Sequence, residues 1–307
     1  MSFVFIVGSP RSGTTILGEI LDRHRDISQW YEPYFVWDHY FRNFPDDERT
    51  ADEATPRIVR QISTDFLNYR KKSDSRIVVD KSPRNSLKTG FIKKIFPEAR
   101  FIHIIRDGRD VTLSIQKEWL RRRNIVHGGG ENDGFKYRKA IKVVNDWLDR
   151  QKFIQHKFRA FWFETHGHLL NRSRHLNRLR WNGDVGWGPR FRGWRHVYKH
   201  SSILQFNAHQ WVRCVENICA SWPDIPADKK MEIRYEDLVT HGEEIIEQIL
   251  DFLKAPCDEG FFSRIPELKK GNYNKWGIEF SAEQISEIQP ILSQMLINLG
   301  YEENSNW

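Results

Sequence analysis

Gly8-Ser9-Pro10-Arg11-Ser12-Gly13-Thr14-Thr15 follows an apolar run at residues 3–7 and opens a stretch with helical spacing. A loop in that position aims backbone N–H groups and the positive end of a helix dipole into one concavity. Its glycines let an anion approach the backbone closely. The Gly-x4-Gly spacing is that of the phosphate-binding P-loop, with one change. The lysine of that loop is replaced by Thr14, and a cation sits inside the loop as Arg11. A nucleoside triphosphate with magnesium normally requires the lysine together with a Ser/Thr metal ligand. The loop therefore reads as a cradle for one phosphate group of a nucleotide, without metal. A turn ahead of a packing helix is the plainer alternative.

Pro10-Arg11-Ser12-Gly13-Thr14-Thr15 resembles the 5′-phosphosulfate-binding loop of the sulfotransferase family, enzymes that use 3′-phosphoadenosine-5′-phosphosulfate. A second stretch, Phe101-Ile-His-Ile-Ile-Arg106-Asp-Gly-Arg109-Asp-Val-Thr-Leu-Ser114, resembles that family's 3′-phosphate-binding strand–turn–helix. Arg234-Tyr-Glu-Asp-Leu238 and Asn274-Lys275-Trp276 fit as well. The resemblance covers both ends of the chain and is weakest across 121–210.

The resemblance implies in-line transfer of a sulfuryl group to an acceptor hydroxyl, a reaction driven by positioning and electrostatics. It implies that Arg11, Ser12, Gly13, Thr14 and Thr15 hold the 5′-phosphosulfate, with Arg11 balancing charge on the leaving nucleotide. Arg106 and Ser114 hold the 3′-phosphate. They lie eight positions apart, at a strand end and in the following helix, so both can face one anion. An ion pair of Arg106 with Asp107 or Asp110 is the competing reading. Lys81 stabilises the transferring sulfonate, unless it is a solvated loop lysine. The cytosolic branch has a histidine base two residues beyond that lysine; here the position is Pro83. Glu32, in Tyr31-Glu32-Pro33, resembles the glutamate of the tyrosylprotein and several bacterial sulfotransferases and is the expected base. A surface glutamate fixing a turn is the alternative. Tyr235 lies against the nucleotide or simply packs, and Lys275 closes over one of the phosphates. His103, mid-strand in an apolar run, reads as a core residue, and Glu19 as an exposed helix former. The site calls for no metal.

These residues need a scaffold that brings strand ends together. Strand-like stretches at 3–7, 77–79, 100–105 and 231–234 alternate with helical patterns at 14–24, 56–69, 84–95 and 110–120, and a further helix carries Ile245, Ile246, Ile249, Leu250 and Leu253. That alternation predicts an α/β fold: a P-loop-like parallel sheet flanked by helices, with ligands beyond the carboxyl ends of the strands. Ser281-Ala-Glu-Gln284 is a capping-box pattern, and Pro290 predicts that the last element is two short helices. The whole of 1–307 reads as one domain. Residues 121–210 read as a basic, largely helical or loop insertion within it, a lid on the acceptor side, a platform for an acidic partner, or a solvated face. Residues 150–200 carry 12 Lys+Arg against Glu164 and Asp184, and the region holds Trp162, Trp181, Trp187 and Trp194. Trp187-Gly-Pro-Arg190 and Gly193-Trp194 resemble an acceptor-side loop of bacterial relatives.

Composition bounds the rest. The chain has 307 residues, 39% apolar and 29% charged, with a net charge of +7. That is globular composition with a mild bias toward anionic ligands. Three cysteines exclude a disulfide scaffold and favour a reducing, cytoplasmic compartment. No apolar run approaches the roughly 20 residues of a membrane span. The expected partner is a hydroxylated small molecule, carbohydrate or peptide, not a nucleic acid. A P-loop nucleotide kinase or NTPase is the alternative enzyme; Thr14 in the lysine position argues against it.

Overall fold

The computed structural model describes residues 2–41, 44–126, 186–269 and 271–307. The chain divides into two units, residues 1–116 with 188–307, and residues 117–187. The sheet lies in the first. Its strands are β1 (Ser2–Val7), β2 (Ile27–Tyr31), β3 (Ile77–Lys81), β4 (Arg100–Ile105) and β5 (Lys230–Arg234), all parallel, in the order β2-β3-β1-β4-β5. Among the described residues the helices are α1 (Thr14–Leu21), α2 (Tyr34–Asp38), α3 (Pro56–Ser73), α4 (Thr89–Ile95), α5 (Gly108–Val126), α6 (Trp194–His200), α7 (Ile203–Ser221), α8 (Tyr235–Thr240), α9 (Gly242–Leu253), α10 (Phe261–Arg264), α11 (Trp276–Glu279) and α12 (Ala282–Asn298). The α/β reading holds.

Successive strand residues point to opposite faces of a sheet, so each central strand feeds two cores. Val4 and Ile6 join Val79, Ile102 and Ile104 under α1 and α9. Phe5 and Val7 join Val78 and Phe101 in a second cluster with Trp37, Ile62, Phe66 and Phe91. Burial on both faces is why these strands read as unbroken apolar runs. The chain leaves β1 toward β2 on one side and later returns to β4 on the other, which opens a crevice at the carboxyl end of β1.

Three expectations change. Residues 84–95 are not one helix: a 3-10 turn, Pro83–Leu87, precedes α4, and the break falls at Lys88, whose φ is −150°. The tight turn lets Asn85 N–H reach back to the Ser82 carbonyl at 2.8 Å, which keeps the chain close to the end of β3. The last element is a single helix, α12, with Pro290 inside it. Pro290 and Ser286 are both exposed, so the proline ring and the carbonyl that loses its donor face solvent, while Ile288, Leu292 and Leu296 stay buried. The capping box at Ser281 and Gln284 forms as expected.

The third concerns residues 188–210, which belong to the first unit rather than to an insertion running to 210. The Arg190 guanidinium pairs with Asp47 at 2.8 Å, and Trp194 Nε1 donates to the Pro45 carbonyl at 2.7 Å. Both side chains are buried, so neither offers the open face expected of an acceptor-side loop. α7 starts at a capping box of Ser202 and Gln205. Trp162 and Trp181, and most of the basic segment, lie outside the described residues.

Candidate active site

The phosphate loop leaves β1 at Val7 and ends at Gly13, the N-cap of α1. Ser12 N–H donates to the Ser9 carbonyl at 3.2 Å, and the two hydroxyls lie 2.5 Å apart, which closes the loop on itself. Arg11 and Gly13 both have positive φ, 70° and 95°. A Cβ on Gly8 would fall 2.6 Å from the Ile104 carbonyl, and one on Gly13 would fall 2.4 Å from the Tyr235 ring. Glycine is therefore required at both ends of the loop. Thr14 is buried in the first turn of α1 and Thr15 is exposed.

β4 delivers Arg106 to the same edge. Its guanidinium is buried, lies 4.3 Å over the Tyr235 ring, and donates to the carbonyls of Arg11 at 3.0 Å and Asn272 at 2.7 Å. Asp110 lies 3.6 Å away. The ion pair anticipated as a competing reading thus forms with Asp110, while Asp107 takes Arg109 at 2.7 Å. Arg106 Nε is buried with no hydrogen-bond partner among the described residues. Ser114, in α5, accepts from Arg11 Nε at 3.0 Å. The two candidate anion-binding groups, one on each loop, converge on Arg11.

Asp110 also accepts from the backbone N–H groups of Asn274, Lys275 and Trp276, at 2.7, 2.9 and 3.1 Å. This fixes the loop that carries Lys275, whose Nζ bonds Asn272 Oδ1 at 2.7 Å. Asn272 Nδ2 in turn donates to the Tyr235 hydroxyl at 2.7 Å. Asn272 and Asp110 therefore join the set; short polar side chains in motif flanks carry no spacing signal that would single them out.

On the other side of β1, Ile6 pairs with Lys81 and Tyr31 pairs with Lys81, so the ends of β1, β3 and β2 are in register. Lys81 is fully buried; its Nζ donates to Glu32 Oε1 at 2.7 Å and lies 4.0 Å over the Tyr31 ring. Glu32 keeps a quarter of its side chain exposed. Gly18 of α1 leaves room for β2 and this strand end: a Cβ there would fall 2.1 Å from Gln29 Nε2 and 3.3 Å from Lys81 Cβ. Pro83 starts the following turn. His103 is buried, with Nδ1 3.0 Å from Glu232 on the neighbouring strand, as a core histidine would be. Glu19 is exposed on α1.

Beyond Glu32, Arg84 lies 4.0 Å over the ring of Tyr34. Arg84 pairs with Asp38 at 3.2 Å and approaches Asp47 at 3.8 Å. Burial opposes charge on Asp47, yet Arg84 and Arg190 together hold its carboxyl well below the usual range. Below the Lys81 strand end, Asp80 accepts from Trp37 Nε1 at 2.8 Å and Ser82 Oγ at 2.6 Å, and burial pushes it up to about 6. Burial pushes Lys88 down to about 8.

The arrangement brings the glycine loop, Arg106 and Ser114 to one edge of the sheet and holds, apart from them, an ammonium–carboxylate pair. The orphaned Arg106 Nε and the glycine-lined cradle fit a phosphorylated nucleotide. No group of three or more His, Cys, Asp or Glu suited to a metal ion occurs among the described residues. Nor is any described helix long and apolar enough to cross a membrane.

A family model described as "Sulfotransferase family" matches residues 4–165 and 189–259. The nodulation protein NoeE of Sinorhizobium fredii is 25% identical over 130 residues, covering 38% of this chain and 31% of that protein. A protein-tyrosine sulfotransferase of Drosophila melanogaster is 20% identical over 318 residues, covering all of this chain and 47% of that protein. The chain thus spans less than half the length of these two relatives. Among solved structures, a sulfotransferase domain from the curacin biosynthetic pathway superposes with a TM-score of 0.54 at 16% identity, covering 96% of this chain and 97% of that one. The corresponding domain of a Synechococcus olefin synthase gives 0.51 at 15% identity, covering 94% of each. Both share the fold.

Proposed function

The chain belongs to the sulfotransferase family, and on that premise we propose that it moves a sulfuryl group from 3′-phosphoadenosine-5′-phosphosulfate to an acceptor hydroxyl. The observation that carries the reading is the Lys81–Glu32 pair, 2.7 Å apart at the end of the strand next to the one that feeds the phosphate loop.

In this reading Arg11, Ser12, Gly13, Thr14 and Thr15 hold the 5′-phosphosulfate. Arg106 and Ser114 hold the 3′-phosphate, Lys275 closes over it, and Tyr235 lies against the nucleotide. Glu32 takes the proton of the acceptor hydroxyl as that oxygen bonds to sulfur. The bond from sulfur to the bridging oxygen breaks, and its electron pair leaves with adenosine 3′,5′-bisphosphate. Arg11 faces the charge that grows there, and Lys81 donates to the nonbridging oxygens of the sulfonate. The acceptor is a hydroxylated small molecule, carbohydrate or peptide. The three free cysteines suit a reducing compartment, and the cytoplasm is the one assigned.

The test has two stages. Adenosine 3′,5′-bisphosphate should raise the melting temperature, and ATP with magnesium should not. A radiolabelled sulfate-transfer screen over phenols, sugars and tyrosine peptides should then find the acceptor class. Stabilisation by magnesium ATP alone would favour a P-loop kinase instead.

A further inference from the structure

Asn272 makes hydrogen bonds of 2.7 Å to three residues. Its carbonyl accepts from Arg106 Nη2, its amide Nδ2 donates to the Tyr235 hydroxyl, and its Oδ1 accepts from Lys275 Nζ. The residue after β4, the first residue of α8 and the segment before α11 thus meet on one side chain and its backbone. That segment has a second tether. Asp110, buried in the first turn of α5, accepts from the backbone N–H groups of Asn274, Lys275 and Trp276. Asn274 has φ 57° and Lys275 has φ −79° and ψ −25°. A left-handed residue beside a right-handed one is the backbone form in which successive N–H groups converge on an anion, and here the Asp110 carboxylate is that anion. Arg106 is fixed from two sides, by the carbonyls of Arg11 and Asn272, and its buried Nε has no hydrogen-bond partner among the described residues.

We infer that Asn272 is a positioning residue for the 3′-phosphate of the nucleotide: it holds the Lys275 ammonium and the Arg106 guanidinium in one arrangement against Tyr235, and Asp110 fixes the segment that carries it. The inference rests on the reading of Arg106 and Lys275 as groups that hold the 3′-phosphate. Lys275 is exposed, and an exposed lysine samples many rotamers that a ligand must then suppress. The bond to Asn272 removes that freedom before the nucleotide arrives. It occupies one N–H of the ammonium and leaves two for phosphate oxygens. The acceptor is a neutral amide, so it orients the lysine without cancelling its charge, as a carboxylate would. The same residue's carbonyl, together with that of Arg11, sets the plane of the Arg106 guanidinium and leaves Nε as a donor for the ligand.

The experiment compares adenosine 3′,5′-bisphosphate with adenosine 5′-monophosphate by titration calorimetry. The two ligands differ only in the 3′-phosphate, so a general loosening of the site, or a shift of Tyr235, weakens both and cancels in the ratio of their affinities. Asn272→Ala should lower the preference for the bisphosphate by about tenfold, the range for one charged hydrogen bond. Lys275→Ala should lower it by a similar factor. The double variant should lose little beyond Lys275→Ala, because the Asn272 side chain acts through Lys275. An unchanged preference in Asn272→Ala, or a double variant whose loss is the product of the two single losses, overturns the inference. Asn272 is half-buried; should Asn272→Ala fold poorly, Asn272→Ser, which stays polar but lacks the amide, is judged by the same two outcomes. If the unsubstituted protein itself shows no preference for the bisphosphate, the reading of Arg106 and Lys275 fails and the inference fails with it. A preference that is present and survives Asn272→Ala leaves that reading standing and removes Asn272 alone.

Discussion

Arg11 Nε donates to Ser114 Oγ at 3.0 Å, joining two residues 103 positions apart in the chain. The Arg11 carbonyl accepts from Arg106 at the same time. The loop expected to hold one phosphate and the strand–turn–helix expected to hold the other are thus tied through one residue. Its side chain and its main chain serve different neighbours. Its positive φ makes this possible by turning the carbonyl toward Arg106 while the guanidinium points to α5. Arg11→Ala should therefore weaken adenosine 3′,5′-bisphosphate binding by about 10- to 100-fold, the range for losing charged hydrogen bonds. Ser114→Ala should weaken it by about tenfold or less. Titration calorimetry separates the two, and unchanged affinity in Arg11→Ala would show that the loop is not a phosphate site.

How far the sequence could be read follows from the physics of each element. β1, β3 and β4 were legible because central strands covered on both faces are largely apolar. β2 was not: Ile-Ser-Gln-Trp-Tyr has polar residues at its second and third positions, and no apolar run marks it. α7 was hidden for a related reason. Its buried face includes Asn207 and Gln210, which break the apolar stripe that periodicity detects. In the site, Arg11, Arg106, Lys81 and Glu32 stand in motifs at strand ends, where position itself signals chemistry. Arg84 and Asn272 acquire their contacts only when distant turns meet, and spacing cannot show that.

Asp47 anchors the side of the site that spacing did not reveal. It accepts from the Arg190 backbone N–H and from two guanidinium nitrogens, with Arg84 nearby, and is almost wholly buried. Asp47→Asn would leave two buried guanidinium groups short of a counter-charge. Breaking a buried pair in this way costs about 3–5 kcal/mol. Urea denaturation should show a loss of that order. A loss below about 1 kcal/mol would mean that solvent, not Asp47, balances the arginines. Because the carboxyl is held below its ordinary range, its stabilisation is present at neutral pH and is lost as the solution is acidified through the folded-state value.

Lys88 behaves in the same direction at higher pH. Burial lowers it to about 8, while an unfolded lysine titrates near 10.4. Between those values the unfolded chain binds more protons, so stability rises with pH across the window and is lost as pH falls through 8. The full gain is at most about 3 kcal/mol. Asp80 behaves as its mirror image. Held up to about 6, it keeps its proton longer in the folded state, so its contribution falls as pH rises from about 4 to 6. The difference in unfolding free energy between the unsubstituted protein and Lys88→Met should therefore grow in favour of the former from pH 8 to pH 10. A difference that stays flat would mean that Lys88 does not lose its proton in the fold.

Gly13 is the position where backbone shape and ligand geometry meet, and a matched glycine can separate the two costs of replacing it. Its φ of 95° strains any L-residue, and an added Cβ would lie 2.4 Å from Tyr235 Cδ2 and 3.1 Å from Ile104 Cδ1. Tyr235 is buried, its hydroxyl is tied to Asn272 and its ring lies under Arg106, so it has little freedom to retreat. Gly193 has φ 81° but open space around a built Cβ. Gly193→Ala should therefore cost only backbone strain, about 1 kcal/mol. Gly13→Ala should cost more, about 2–4 kcal/mol. It should also weaken adenosine 3′,5′-bisphosphate binding, because the displaced ring carries Arg106 with it. Equal losses of stability in the two variants, with nucleotide affinity unchanged in both, would show that Tyr235 yields freely and does not buttress the loop.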